Sequence, residues 1–235
     1  MPITPDYWES ACAHLVAKDR VMKRLIPQFG SARLQTRGDA FTTLARSIVG
    51  QQISVKSAQS VWDRFMVVAQ KAKAVSLASG LSPVAADDLG RQMASVGDVL
   101  LASQVLKLKI DDMRSAGLSA RKVEYLVDLA LNFENGSLHV ADWQTMDDEA
   151  IIAELVAIRG VGRWTAEMFL IFHLLRPNVL PIDDAGLIKG ISQSYFSGEA
   201  VSRSDAREVA SAWSPYCSVA TWYIWRSLDP QPVGY

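Results

Sequence analysis

Between Asp147 and Leu175 a helical period of apolar residues runs on both sides of two glycines set one residue apart. Ile151, Ile152, Leu155 and Ile158 recur at the spacing of one helix face. Gly160 and Gly162 interrupt the pattern, and Thr165, Ala166, Met168, Phe169, Phe172 and Leu175 resume it. Glycine reaches backbone angles that other residues resist, so Gly-Val-Gly between two helical patterns reads as a tight turn. The pattern predicts two helices joined by a turn of about four residues. Successive N–H groups in such a turn, at the head of the second helix, can point at an anion without any charged side chain. A plain helix connection with no ligand uses the same glycines, and the turn alone does not separate the two.

The residues downstream narrow the reading. Pro177 closes the second helix. Pro181-Ile182-Asp183-Asp184 then opens an amphipathic helix with Ile182, Leu187, Ile188 and Ile191 on its apolar side. Adjacent aspartates at a helix start have an ordinary use, capping the first N–H groups and meeting the positive end of the dipole. One of the pair is expected to do that.

Helix signals recur along the whole chain and strand signals are nearly absent. The pattern predicts helices over residues 5–17, 21–27, 39–49, 54–70, about 83–92, one or two over 98–116, and others over 119–134, 184–195, 204–213 and 216–228. Ser54, Ser119 and Asp147 are the expected N-caps, Asn135-Gly136 is a stop, and residues 142–146 read as one short helical turn. The fold class is therefore all-α, a single unit over residues 1–235 of ten or so helices.

The net charge of −1 supplies no global attraction for nucleic acid, so any DNA contact must come from a local basic face and backbone amides. The two cysteines, Cys12 and Cys217, are too few for a four-thiolate iron–sulfur cluster or a zinc cage, and read as reduced thiols of a cytosolic protein. No basic-then-apolar leader opens the chain, and no apolar stretch is long enough to span a bilayer. A cytoplasmic monomer is expected, at the nucleoid in a bacterium or in the nucleus of a eukaryote.

The stretch apolar-x-x-apolar-x-Gly-Val-Gly-x-x-x-Ala, followed about twenty residues later by Pro-x-Asp-Asp, resembles the helix-hairpin-helix superfamily of DNA glycosylases. Arg159 stands where that superfamily usually has proline. Ser47 to Ser54, Gly117 to Leu126 and Gly162 to Glu167 are similar to its alkylation-repair branch, the 3-methyladenine-DNA glycosylases II and their shorter yeast-like relatives. Because the helical pattern begins near residue 5, the chain reads as the short form without an N-terminal β-rich domain.

The resemblance implies a helix-hairpin-helix glycosylase fold, two helical lobes flanking a cleft, with the hairpin at about residues 147–175. It implies that Asp184 is the catalytic carboxylate, leaving Asp183 as the cap. A carboxylate beside the sugar C1′ stabilises the positive charge that develops as the N-glycosidic bond breaks. Strand-cutting members carry a nucleophilic lysine two residues after the second hairpin glycine. Here Trp164 occupies that place, which implies base release without lyase activity. Trp164, Met168, Trp213 and Trp222 are the candidate walls of the base pocket, Met168 standing where the bacterial type has an aromatic.

The backbone at Gly160, Val161 and Gly162, with Thr165, is expected to hold a phosphate of damaged double-stranded DNA. Gln51 and Gln52 match the family's wedge, with Gln52 at its tip filling the space left by a flipped base. Lys189, Arg121 and Lys122 are further candidate phosphate contacts. A sodium or potassium ion at the 158–163 backbone is a family feature, and side chains supply no metal site. Alkylated purines such as 3-methyladenine carry positive charge and leave readily, so no general acid is required. His14, His139 and His173 are assigned no catalytic role. Two other readings stay open: a glycosylase for uracil, hypoxanthine or mismatches, and a non-catalytic hairpin module that only binds DNA.

Overall fold

The computed structural model describes residues 3–36, 38–78 and 99–228. Among these residues the only regular elements are helical. In chain order they are α1 (Trp8–Lys18), α2 (Arg20–Leu25), a 3-10 turn (Ile26–Phe29), α3 (Ala40–Gly50), α4 (Val55–Ala78), α5 (Ala102–Val105), α6 (Ile110–Ser115), α7 (Ala120–Glu134), α8 (Asp148–Val156), α9 (Arg163–Phe172), α10 (Ala185–Tyr195), α11 (Arg203–Ser211) and α12 (Cys217–Leu228). The short helix expected around 83–92 and the tail from Asp229 lie outside the described residues. No described helix is long and apolar enough to cross a membrane.

The caps follow the sequence. Ser119 accepts the N–H of Lys122 at the start of α7, and Asp147 accepts that of Glu149 at the start of α8. Ser54 accepts the N–H of Ser57 ahead of α4. Each satisfies one of the donors that a helix start leaves without a partner. Residues 142–146 form the expected single helical turn, closed by the Met146 N–H on the Asp142 carbonyl at 3.0 Å. Helix α9 stops at Phe172, short of Pro177, because the N–H groups of His173 and Leu174 both fold back to the Phe169 carbonyl. Leu175 then turns into the left-handed region at φ 54.

The chain forms two compact units. One is made by Met1–Arg37 and Arg163–Tyr235, the other by Gly38–Gly162. In the first, α1 packs on α2, α10 on α12, and Trp8 meets Trp222 edge to face with ring centroids 5.2 Å apart. Asp19 anchors this core. Its Oδ1 caps α2 through Val21 and Met22, and its Oδ2 accepts the Tyr195 hydroxyl and the Trp213 indole. A buried carboxylate is tolerated only when its oxygens are matched in this way. In the second unit, α3, α5 and α6 pack on α7, and Phe41, Phe133 and Trp143 form an edge-to-face chain.

Candidate functional site

Helix α10 begins where Asp184 turns its side chain back. Its backbone is extended, and Oδ1 accepts the N–H of Leu187 at 2.6 Å. Asp184 is therefore the cap, and the sequence-based assignment of that role to Asp183 is corrected. The reason is register: the first helical residue is Ala185, so the side chain one position before it is the one within reach of the third turn residue. Asp183 pairs at the surface with Arg203, Nε to Oδ1 at 2.5 Å.

Two indoles complete the surroundings of Asp184. Trp225 Nε1 donates to Oδ1 at 2.7 Å and Trp164 Nε1 donates to Oδ2 at 2.9 Å. The carboxylate thus accepts from three neutral N–H groups, which fix its orientation without cancelling its charge. Trp164, 38% exposed, is on the solvent side, and Trp225 is buried. Behind Trp225, Phe172 of α9 stacks on its ring with centroids 5.8 Å apart and planes 13° from parallel.

Glycines on α10 allow this approach. A Cβ at Gly186 would stand 3.0 Å from Asp184 Oδ1 and 3.4 Å from the Trp225 ring. One at Gly190 would fall 2.3 Å from Ile224 Cγ2. The two positions are four apart and share one helix face, so α12 can lie close enough for Trp225 to reach the carboxylate.

In the other unit, the turn after α8 is closed by Val161 N–H to the Ile158 carbonyl at 3.1 Å. Gly160 adopts φ +85, and a Cβ there would enter the Tyr125 ring at 2.2 Å. Glycine is required twice over, for the angle and for the space. The Arg159 N–H is held by Asp128 Oδ2 at 2.8 Å. Gly162 faces open space. No protein acceptor takes the N–H of Gly160 or Gly162 among the described residues.

The turn after α3 carries Gln51 and Gln52. Gln52 is exposed and left-handed at φ 60, a costly conformation for a residue with a side chain. Gln51 Nε2 donates to the Gly160 carbonyl at 2.8 Å. Lys122 Nζ donates to the Val49 carbonyl at 2.7 Å, and partial burial lowers its pKa from the usual lysine value.

The sequence profile of the HhH-GPD superfamily of base excision DNA repair proteins matches residues 45–215, which takes in both turns and Asp184. The chain belongs to the HhH-GPD superfamily. It is 24% identical to DNA-3-methyladenine glycosylase 1 of Schizosaccharomyces pombe, over 91% of this chain and 85% of that one. Among solved structures it is similar to a DNA-3-methyladenine glycosidase from Bacillus halodurans (TM-score 0.77, 28% identity, 97% of this chain and 93% of that one). It is also similar to the 3-methyladenine DNA glycosylase of S. pombe in complex with abasic DNA (TM-score 0.72, 25% identity, 93% and 96% covered).

Against this superfamily frame, the candidate residues divide. Asp184 and Trp164 come together directly. Met168 is buried on α9. Trp213 is removed from the pocket wall: it is 0% exposed and its indole is committed to Asp19. Trp222 is likewise a core residue, packed against Trp8 and Tyr223. The tryptophan of α12 that reaches Asp184 is Trp225, three residues after Trp222. Periodicity could not select it, because every residue of α12 from Cys217 to Trp225 is buried.

Thr165 is buried, which limits it to a backbone contact. Val161 spends its N–H within the turn, so of the three hairpin amides only those of the glycines remain for a phosphate. Lys122 is tied to the end of α3, whereas Arg121 and Lys189 are exposed. The bond from Gln51 to Gly160 was not legible in the sequence, since the partners lie 109 residues apart. The carbonyls of Ile158 and Gly160 each accept one N–H, from Val161 and from the Gln51 side chain. His14 and His173 pack against Tyr216 and Phe169, and His139 pairs with Glu154 at the surface.

Proposed function

We propose that this chain is a monofunctional DNA glycosylase that removes alkylated purines such as 3-methyladenine from duplex DNA. The observation that carries the reading is the Asp184 carboxylate, oriented by three neutral donors and set between two tryptophans. The similarity to 3-methyladenine glycosylases over nearly the whole chain supports it.

In this reading the N–H groups of Gly160 and Gly162 hold a phosphate, aided by the exposed Arg121, and the exposed Lys189 is a separate contact to the DNA backbone. The damaged nucleotide rotates out of the stack and Gln52 fills the gap. A stable carboxylate charge beside C1′ lowers the energy of the oxocarbenium-like state. The base departs with the electron pair of the N-glycosidic bond. Water then adds its oxygen to C1′ and gives up a proton to bulk water. An N-alkylated purine already carries the charge that a general acid would otherwise supply. Trp164 and Trp225, whose indoles both reach Asp184, are the aromatic rings set beside a cationic base in this reading. Trp164 offers an indole where a lyase would need an amine, so the strand stays intact. The partner is damaged double-stranded DNA, bound by a monomer.

The test is release of base from N-methylated, uracil-containing and inosine-containing duplexes, together with borohydride trapping of any covalent adduct. Release from methylated DNA alone, with no trapped adduct, is the expected result. Release from uracil DNA only, or a trapped adduct, would replace this reading.

A further inference from the structure

We infer that Gln51 is a latch joining the wedge turn to the hairpin turn, so that capture of the phosphate and eversion of the base proceed as one rigid action. The inference rests on the glycosylase reading above. Its basis is the hydrogen bond from Gln51 Nε2 to the Gly160 carbonyl, 2.8 Å long, which joins two turns far apart in sequence.

Each turn is also held separately, and by the same helix. Lys122, Tyr125 and Asp128 fall three apart on α7 and so share a face. Lys122 Nζ holds the Val49 carbonyl at the end of α3, just before the wedge turn. Tyr125 lies against Gly160, and Asp128 Oδ2 accepts the Arg159 N–H. The hairpin turn adds its own closing bond from Val161 to Ile158. Neither turn needs Gln51 to keep its shape. What Gln51 adds is a direct link, from the residue next to the left-handed tip at Gln52 to the carbonyl of the glycine whose N–H is left unpaired.

A wedge pushed into a base stack experiences a restoring force. With the latch closed, that force is carried to the phosphate grip. With it open, the tip yields while the grip still holds. A donor is essential for this role: the Gly160 oxygen accepts, so the residue at 51 must present an N–H or O–H at the reach of a glutamine.

The experiment compares the wild type with Gln51→Leu, which keeps bulk and loses the donor, and Gln51→Glu, which keeps the shape and presents oxygen to oxygen. Two probes separate grip from eversion. A duplex with 2-aminopurine at the target position fluoresces when that base unstacks. A duplex carrying a tetrahydrofuran abasic analogue has no base to evert. Loss of one hydrogen bond predicts a fall of about tenfold in the equilibrium for 2-aminopurine unstacking in both variants at pH 8. Affinity for the tetrahydrofuran duplex stays within about threefold, since the grip is intact. At pH 5 a growing share of the Gln51→Glu side chain is protonated and can donate, so its unstacking recovers towards the wild-type value while Gln51→Leu does not. A purely structural role would give no such recovery.

Wild-type unstacking in Gln51→Leu, equal losses on both probes, or no recovery of Gln51→Glu at low pH would each overturn the latch. Wild-type protein that unstacks 2-aminopurine but releases no methylated base would sink the glycosylase reading alone, with the two Gln51 variants still deciding the latch.

Discussion

Trp225 reaches across 41 residues of sequence to place its indole N–H 2.7 Å from Asp184 Oδ1. The ring is buried and stacked on Phe172, so the donor is fixed before any substrate arrives. A hydrogen bond to a charged group contributes about 1.5–3 kcal/mol, and about 1.4 kcal/mol is a factor of ten in rate. Trp225→Phe keeps an aromatic ring and removes the donor, and is expected to slow single-turnover base release roughly tenfold or more. Trp164→Phe is expected to act in the same direction with little change in melting temperature, because Trp164 is on the surface. An unchanged rate in both variants would show that the indoles do not hold the carboxylate in its working position.

The close approach of α12 to α10 makes a second prediction. Gly190→Ala puts a Cβ 2.3 Å from Ile224 and must push the helices apart. Overpacking of this kind costs about 1–3 kcal/mol, read as a lower midpoint in urea unfolding. Gly186→Ala meets only the edge of Asp184 and Trp225, at 3.0 and 3.4 Å. It is expected to unfold near the wild-type midpoint while losing activity. Equal midpoints for Gly190→Ala and the wild type would refute the packing account.

Much of this was legible in the chain. The helix starts at Ser119 and Asp147, the helices over 184–228 and the turn at Gly160-Val161-Gly162 follow from local chemistry, which caps and glycines report directly. The site was legible only in outline. The sequence marks Asp184 and Trp164, but ranking Trp213, Trp222 and Trp225 requires knowing which side of α12 faces what. A helix buried all round hides that, since its apolar pattern has no polar face to orient it. The bond from Gln51 to Gly160 and the need for glycine at 186 and 190 are tertiary facts, set by partners 109, 39 and 34 residues away.

The two hairpin glycines should separate in experiment. Gly160→Ala combines a left-handed backbone with a clash against Tyr125, so it is expected to lower both stability and DNA affinity. Gly162→Ala meets nothing and keeps an ordinary backbone, so its melting temperature should match the wild type. Thermal scans and anisotropy titrations of the two variants make the comparison. A large loss of stability in Gly162→Ala would show that its open surroundings are misjudged.

Stability should fall in alkali. Burial pushes the Cys217 thiol up from 9.0 to about 11, and Tyr7, Tyr195 and Tyr223 are raised by the same cause. Below about pH 9 the Cys217 thiol is protonated in both folded and unfolded chains, and its stabilising contribution is whole. Above that the unfolded thiol ionises while the folded one holds its proton, so stability declines until pH reaches about 11. Urea unfolding at pH 8, 10 and 11 reads the slope, and Cys217→Ala should make it shallower. A slope unaltered by that substitution would remove Cys217 as a cause.

The most direct measurement is single-turnover release of 3-methyladenine from methylated duplex DNA by the wild type and by Asp184→Asn, with strand breaks scored before and after alkali. Asparagine keeps the cap on α10 and removes the charge. The account predicts release by the wild type, intact strands until alkali, and a loss of at least about a hundredfold in Asp184→Asn with folding unchanged. Full activity in Asp184→Asn, with the loss appearing in Asp183→Asn instead, would contradict it.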